Sequence, residues 1–116
     1  MKIKGGVGLF RLIDGQVKER RGAMWPVGKV RISRDYIELD CLGRNTFSRN
    51  DVRRIVFKSH LYSEFRFVVS TNSCDFVLYL STFHGPVILA HLSECGYPLG
   101  EKERWWKSLS ARSLIF

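Results

Sequence analysis

The chain has 116 residues, of which 45% are hydrophobic and 13% aromatic, and a formal net charge of +8. A chain of this length forms one domain that buries roughly two thirds of its unfolded surface, and its apolar content excludes an intrinsically disordered chain. The apolar runs FVLYL and VILAHL are much shorter than the roughly 18 residues that a transmembrane helix needs, so a membrane-spanning segment is excluded.

The start of the chain and the cysteines both predict a cytoplasmic protein. Two lysines precede an apolar patch, as in a signal peptide, but Arg11 and Asp14 interrupt the patch and no small-residue cleavage site follows. Cys41, Cys74 and Cys95 are odd in number and far apart, which favours buried, reduced thiols over disulfides or a zinc site. We therefore expect a cytoplasmic location, which includes the inner face of the membrane.

The positive charge is concentrated in the first half of the chain. Residues 1–58 have 14 Lys or Arg against 6 Asp or Glu, whereas residues 59–116 have 5 of each. A positive face attracts phosphates, acidic lipids or acidic proteins and increases the rate of encounter with them.

The N-terminal region predicts a strand followed by an ambiguous segment. VGLFRLI at 7–13 has the pattern of a strand and ends at the turn signal Asp14-Gly15. Residues 16–26, QVKERRGAMWP, are either a strand or a long basic loop. Gly5-Gly6 is a plausible hinge, but GGVG precedes a strand rather than following one, so it does not fit a phosphate-binding loop.

KVRISRDYIELD at 29–40 predicts a β-hairpin with one solvent-exposed face. The turn lies at Arg34-Asp35, and Arg31, Glu38 and Asp40 face the solvent. The residues expected to face the core are Val30, Ile32, Ile37, Leu39 and Cys41.

Three further apolar runs predict strands, at DVRRIVF, EFRFVVS and CDFVLYL. The polar cluster STNS at 70–73 is a turn that joins the last two runs. Arg53 points outward, while Arg54 takes the opposite face or lies in a bulge. The residues expected on the inner face are Val52, Ile55, Phe57, Phe65, Phe67, Val69, Phe76, Leu78 and Leu80.

The apolar period then changes to that of an α-helix over 86–95. Pro86 suits its first turn, Gly96 suits the position after its last turn, and Pro98 prevents its continuation. The apolar stripe consists of Val87, Ile88, His91, Leu92 and Cys95.

This order predicts a mainly β (α+β) fold: a bent antiparallel sheet or partial barrel of six to seven strands, capped by the C-terminal helix. The order of elements over residues 27–96 resembles the pleckstrin-homology-like (PH-like) superfold, most closely bacterial PH-like and GRAM-like domains. We expect one PH-like domain over residues 1–100 and an amphipathic tail, helical in conformation, over 101–116. The residues that match the family pattern are Gly28, Ser33, Asp35 and Ile37 in the first strand pair, and Asp51, Val52 and Ile55 in a later strand.

The resemblance implies an anion-binding site on the segment between the first two strands. Lys18, Arg20 and Arg21 would contact the phosphates of a headgroup, with Lys29 and Arg31 behind them. Arg binds phosphate with two parallel hydrogen bonds and Lys acts as a point charge, so the residue types are suitable. A solvated basic loop is the alternative.

Arg49 and Arg53, with Arg54, form a second basic group. Nucleic-acid binding is the sharper interpretation of this group, given a sequence pI of about 9.8. No helix-turn-helix, zinc-finger, RRM or KH signature accompanies the charge, so nucleic acid is the less favoured partner.

No residue pattern predicts an enzyme or a cofactor. His91 and Cys95 are four residues apart on one predicted helix face, as two metal ligands can be, but both belong to the apolar stripe, so a core histidine beside a buried thiol is favoured. The sequence has no G-x-S-x-G, P-loop or H-E-x-x-H motif.

The tail EKERWWKSLSARSLIF combines cations with Trp105, Trp106 and Phe116. As a helix it would lie in a membrane interface, pair with another subunit to form a homo-oligomer, or fold back over the sheet, and we favour the last.

The sequence as a whole predicts a non-catalytic module that binds a protein partner or anionic lipid headgroups through a basic face. A nucleic-acid-associated β-barrel and a self-associating structural protein are the alternatives.

Overall fold

The computed structural model describes residues 1–24, 28–59 and 62–99, and these form two antiparallel sheets and one α-helix. The elements are β1 (Lys2–Lys4), β2 (Gly6–Ile13), β3 (Gln16–Ala23), β4 (Lys29–Ile32), β5 (Tyr36–Asp40), β6 (Arg44–Ser48), β7 (Val52–Ser59), β8 (Ser63–Ser70), β9 (Asp75–Thr82) and α1 (Gly85–Glu94). Sheet A has the strand order β1-β4-β5-β6, and sheet B has the order β3-β2-β9-β8-β7. The predicted mainly β fold with a following helix is confirmed, and the described strands do not close into a barrel.

The described residues form nine strands instead of the predicted six to seven. Residues 16–23, left open between strand and loop, form β3 and pair with β2. No alternation marks β6, because Phe47 is its one buried residue. Only Gly5 separates β1 from β2, so one stretch of chain contributes to both sheets. A Cβ at Gly5 would collide with the carbonyl oxygen of Ser81, so this crossing requires glycine.

The hairpin predicted over residues 29–40 is confirmed by the pairing of β4 with β5. Its five inward residues are each at most 3% exposed. The backbone N–H and the hydroxyl of Ser33 both donate to the carbonyl of Tyr36, at 3.0 and 3.2 Å, which closes the turn. All three cysteines are free, but Cys74 is only half-buried, so the expectation of a buried thiol holds for Cys41 and Cys95 alone.

Strands β7, β8 and β9 form two consecutive hairpins in sheet B, of which the second, at the STNS turn, is the predicted one. Ile55 pairs with Phe67, and Phe67 pairs with Leu78, so the apolar residues of all three strands share the inner face. The register of β7 shifts between Val52 and Arg54, so the bulge lies at Arg53, whereas the prediction allowed one at Arg54, which pairs with Val68. Phe57 and Phe76 are half-buried at the margin of the core.

Helix α1 ends as predicted. It packs against the core that the inward residues of the two sheets form. Pro86 lies in its first turn, and Gly96 follows it with φ +78°. Ile88 and Leu92 are buried with the inward residues of both sheets. Val87 is 59% exposed, so its predicted place in the buried stripe is wrong; the arc that faces the core runs through Ile88, Leu92 and Cys95.

Candidate functional site

Charged side chains gather on the outer face of sheet A. The residues of this surface, called the sheet A patch below, are Lys2, Lys29, Arg31, Glu38, Asp40 and Arg44. Successive side chains of a strand point to opposite faces of the sheet. Their neighbours Val30 and Leu39 are buried, so the patch residues point away from the core.

Strand pairing arranges the patch in two rows. In one row Lys2 lies across from Arg31, which lies across from Glu38. In the other, Lys29 lies across from Asp40, which lies across from Arg44. Four cations therefore surround two carboxylates, and the patch keeps a positive balance. A small depression of about 90 Å³ lies among these residues.

The ion pair within the patch is weak. The Nε atom of Arg44 is 3.8 Å from a carboxylate oxygen of Glu38, and the Arg44 side chain is 69% exposed. An exposed pair of this kind contributes at most about 1 kcal/mol, because water and salt screen it. The guanidinium can therefore bind an anion of a partner at little cost.

The structure does not bring Lys18, Arg20 and Arg21 onto one face. All three lie on β3. Arg20 is exposed beside Phe10, and the exposed Lys18 lies where the pairing of β3 with β2 is irregular. Arg21 points to the opposite side of the strand. Strand β3 belongs to sheet B, so this group is also separate from Lys29 and Arg31 in sheet A.

Arg21 connects β3 to the turn between β5 and β6. Its Nε atom is 3.0 Å from a carboxylate oxygen of Glu19, and its guanidinium donates to the side-chain oxygen of Asn45 at 3.0 Å and, more weakly, to the carbonyl of Leu42 at 3.4 Å. Glu19 also pairs with Arg11 at 3.2 Å. Arg21 therefore has partners within the fold, which sequence spacing could not reveal because Asn45 is 24 residues away.

Arg49 also has a partner within the fold, whereas Arg53 is exposed. The Arg49 guanidinium donates to the carbonyl of Cys95 at 2.8 Å and so holds the end of α1. Nearby, the hydroxyl of Tyr97 donates to the carbonyl of Ser33 at 2.7 Å, and burial raises the pKa of Tyr97 to about 12. Arg53 lies in the bulge of β7, at the edge of sheet B opposite β3.

His91 and Cys95 are neighbours, but His91 also has a backbone partner. The Nε2 atom of His91 is 3.6 Å from the Cys95 sulfur and 3.0 Å from the carbonyl oxygen of Ile32. A ring nitrogen that contacts a carbonyl must carry the hydrogen and donate it. Across residues 1–24, 28–59 and 62–99, no group of three His, Cys, Asp or Glu residues could hold a metal ion.

An apolar cleft of about 1000 Å³ lies at one end of sheet B. Its lining includes Gly6, Gly22, Met24, Tyr62, Tyr79 and Phe83. Met24 is 73% exposed, Phe83 is 81% exposed, and the rings of Phe83 and Tyr62 make an edge contact with centroids 6.5 Å apart. Large exposed apolar residues around a concave surface are typical of a binding site. Sequence patterns could not reveal the cleft, because the ends of three strands, β2, β3 and β9, and the residues next to them form it.

A buried polar group lies beside the cleft on the outer face of sheet B. The hydroxyl of Tyr79 donates to a carboxylate oxygen of Glu64 at 2.8 Å, and the Arg66 guanidinium lies 5.8 Å from the centre of the Tyr79 ring. Burial, followed by the bond to Glu64, raises the pKa of Tyr79. Burial also lowers the pKa of Arg66, which the charge of Glu64 partly offsets.

Comparisons with known proteins do not assign the chain to a family: no model of a known protein family matches it, and no curated protein matches it. None of the helices in the described part of the chain has the length and apolar character that crossing a membrane requires. The predicted contact residues Trp105, Trp106 and Phe116 lie outside the described residues.

Proposed function

We propose that this chain is a non-catalytic binding module of PH-like architecture that recognises an anionic partner through the sheet A patch. The observation that carries the proposal is the alignment of Lys2, Lys29, Arg31 and Arg44 on one face by the pairing of β1, β4, β5 and β6. Lys29 and Arg31 were expected to contribute; Lys2 and Arg44 join them through strand pairing.

The strand order supports the PH-like part of the proposal. If β1 and β2 are counted as one bent strand and β3 as an added edge strand, seven strands remain in the order β6-β5-β4-β1/β2-β9-β8-β7. Seven strands followed by a helix are what the resemblance implies. The turn residues of the resemblance also have structural roles, since Ser33 bonds to Tyr36 and the carbonyl of Asp35 accepts from the backbone N–H of Arg49.

The chemistry of the patch favours binding and, among anionic partners, a protein. A depression of about 90 Å³ is smaller than the roughly 300–1,000 Å³ of a typical small-molecule site. Glu38 and Asp40 alternate with the cations, and a surface with both signs complements an acidic protein that also carries some cations better than it complements a layer of phosphates. With this function we also propose a cytoplasmic location, at the inner membrane face if the anions belong to lipids.

Charge reversal on the two sheets tests the proposal. The variant Lys29→Glu/Arg31→Glu changes the sheet A patch, and the control Lys18→Glu/Arg20→Glu makes the same charge change on β3. The probes are a labelled polyglutamate peptide, followed by fluorescence anisotropy, and sedimented phosphatidylcholine vesicles with and without phosphatidylserine. We expect the patch variant to bind an anionic probe at least roughly tenfold more weakly than the control does, because each cation near an anionic surface contributes about 1 kcal/mol.

The probes also distinguish the two sources of anions. Binding to the peptide but not to the vesicles assigns an acidic protein, and the reverse assigns lipid headgroups. Equal losses in the two variants, or no binding of the wild-type chain to either probe, would overturn the proposal.

A further inference from the structure

The outer face of sheet B is buried from β2 across to the edge strand β7, which is unusual for the face of a sheet that points away from the core. Phe10 is 9% exposed, Val77 5% and Val56 0%. These residues alternate with Leu9, Leu78 and Ile55, which face the core. Within the described residues, the two layers that pack on sheet B are sheet A and α1, and both lie on its inner face. Some other part of the molecule must therefore cover the outer face.

Charged residues on the same face are also buried. Glu64 is 8% exposed and Arg66 is 6% exposed, and Tyr79, the strand partner of Arg66, donates its hydroxyl to Glu64. Charged side chains on an open sheet face normally remain in water, since burying them carries a free-energy cost. The cover therefore extends over the middle of the sheet and is not confined to its margin.

The described chain ends beside this face and runs toward the cleft. Leu99 forms a parallel bridge with Ile55, and the Ile55 N–H donates to the carbonyl of Pro98 at 2.9 Å. Strand β7 is an edge strand of sheet B, and a chain parallel to it runs from Val52 toward Ser59. That end of the sheet is the end where the cleft lies, because Ser59 pairs with Ser63 next to Tyr62.

The remaining segment is long enough to cross the sheet and has suitable residues. Residues 101–116 would span about 24 Å even as a helix, and crossing five strands requires about 19 Å. The segment is rich in large apolar side chains, and their removal from water is favourable, as it is for the outer face of sheet B. These side chains are Trp105, Trp106, Leu109, Leu114, Ile115 and Phe116.

We propose that residues 101–116 pack onto the outer face of sheet B of the same chain. That face is then an intramolecular docking site, and a partner that competes for it would release the segment. This surface is separate from the sheet A patch, so the proposal stands independently of the proposed function.

Trypsin cleavage of the full-length chain tests this docking. Lys102, Arg104, Lys107 and Arg112 provide cleavage sites within the segment. The variant Val56→Glu places a charge on the outer face of sheet B, and Val87→Glu makes the same change at an exposed position on α1. We expect Val56→Glu to speed cleavage within the segment roughly tenfold or more relative to the wild type and to Val87→Glu, because cleavage follows the population of the undocked state.

A second variant covers the case in which Val56→Glu unfolds the sheet. Trp105→Ala/Trp106→Ala changes only the segment, and we expect it to increase cleavage similarly while hydrogen exchange in β8 and β9 stays slow. Cleavage that is equally fast in the wild type and in this variant would overturn the proposal. Protection that disappears on dilution, together with a change from dimer to monomer mass, would assign the docking site to a second copy and would overturn the intramolecular arrangement.

Discussion

The outer faces of the two sheets differ in what their side chains present, although strands of both sheets alternate inward and outward residues. On sheet A the outward residues are charged and accessible, as with Arg31 and Arg44. On sheet B they include Phe10, Val77 and Val56, which are buried. A basic composition therefore does not make the whole surface a binding face: sheet A provides the open surface and sheet B provides one that is already covered.

The largest expected effect comes from placing a charge on each outer face. We expect Val77→Lys to lower the free energy of unfolding by about 3 kcal/mol or more, because a buried site cannot hydrate the ammonium. Thr46→Lys on sheet A, at an exposed position across from Glu38, should change it by less than about 1 kcal/mol. Urea unfolding of both variants provides the comparison, and similar losses would show that the two faces do not differ in burial.

Removal of one hydroxyl from each sheet tests the same difference in burial. Tyr79→Phe removes the donor to Glu64 and leaves a buried carboxylate without that bond, so we expect a loss of about 1.5–3 kcal/mol. Tyr36→Phe on β5 is the matched control and should change stability by less than about 0.5 kcal/mol. A neutral Tyr79→Phe variant in urea unfolding would mean that the Glu64 bond is not formed in solution.

Alkaline pH should reduce the stability that Tyr79 contributes. Burial and the bond to Glu64 raise its pKa in the folded state, so the unfolded chain loses this proton first. The contribution is complete below the ordinary phenol pKa of about 10 and is lost as pH rises from there through the folded-state pKa. Urea unfolding at pH 8 and at pH 10.5 should show that the advantage of the wild type over Tyr79→Phe narrows, and a widening advantage would contradict the sign of this shift.

The smallest expected effect is on sheet A. Arg44→Gln removes the exposed pair with Glu38, and we expect less than about 0.5 kcal/mol of change in the free energy of unfolding. The same variant should weaken binding to the anionic probe that the wild-type chain prefers, because the patch loses one of its four cations. Unchanged binding would remove Arg44 from the patch.

The sequence predicted elements whose pattern is local. Alternation identified the inward residues of β4 and β5, and Pro86 and Gly96 bounded α1, because these signals lie within the elements themselves. The sequence did not predict β6, since RNTFS contains one apolar residue. It did not decide between a strand and a loop for β3, because pairing with β2 stabilises that strand.

The candidate site was predictable only in part. Lys29 and Arg31 share a face because they are two residues apart on one strand, so their proximity follows from the sequence. Lys2 and Arg44 join them through pairing across the sheet, which spacing along the chain does not encode. Arg21, counted among the phosphate contacts, instead pairs with Glu19 and Asn45.

Chemical footprinting of lysines shows which of the two surfaces binds the anionic partner. Acetylation of Lys2, Lys18 and Lys29 is measured by mass spectrometry on the full-length chain, with and without the anionic probe that it binds. Binding through the sheet A patch predicts that the probe slows acetylation of Lys2 and Lys29 and leaves acetylation of Lys18 unchanged. Protection of Lys18 with no change at Lys2 and Lys29 would contradict it and would place the binding surface on β3.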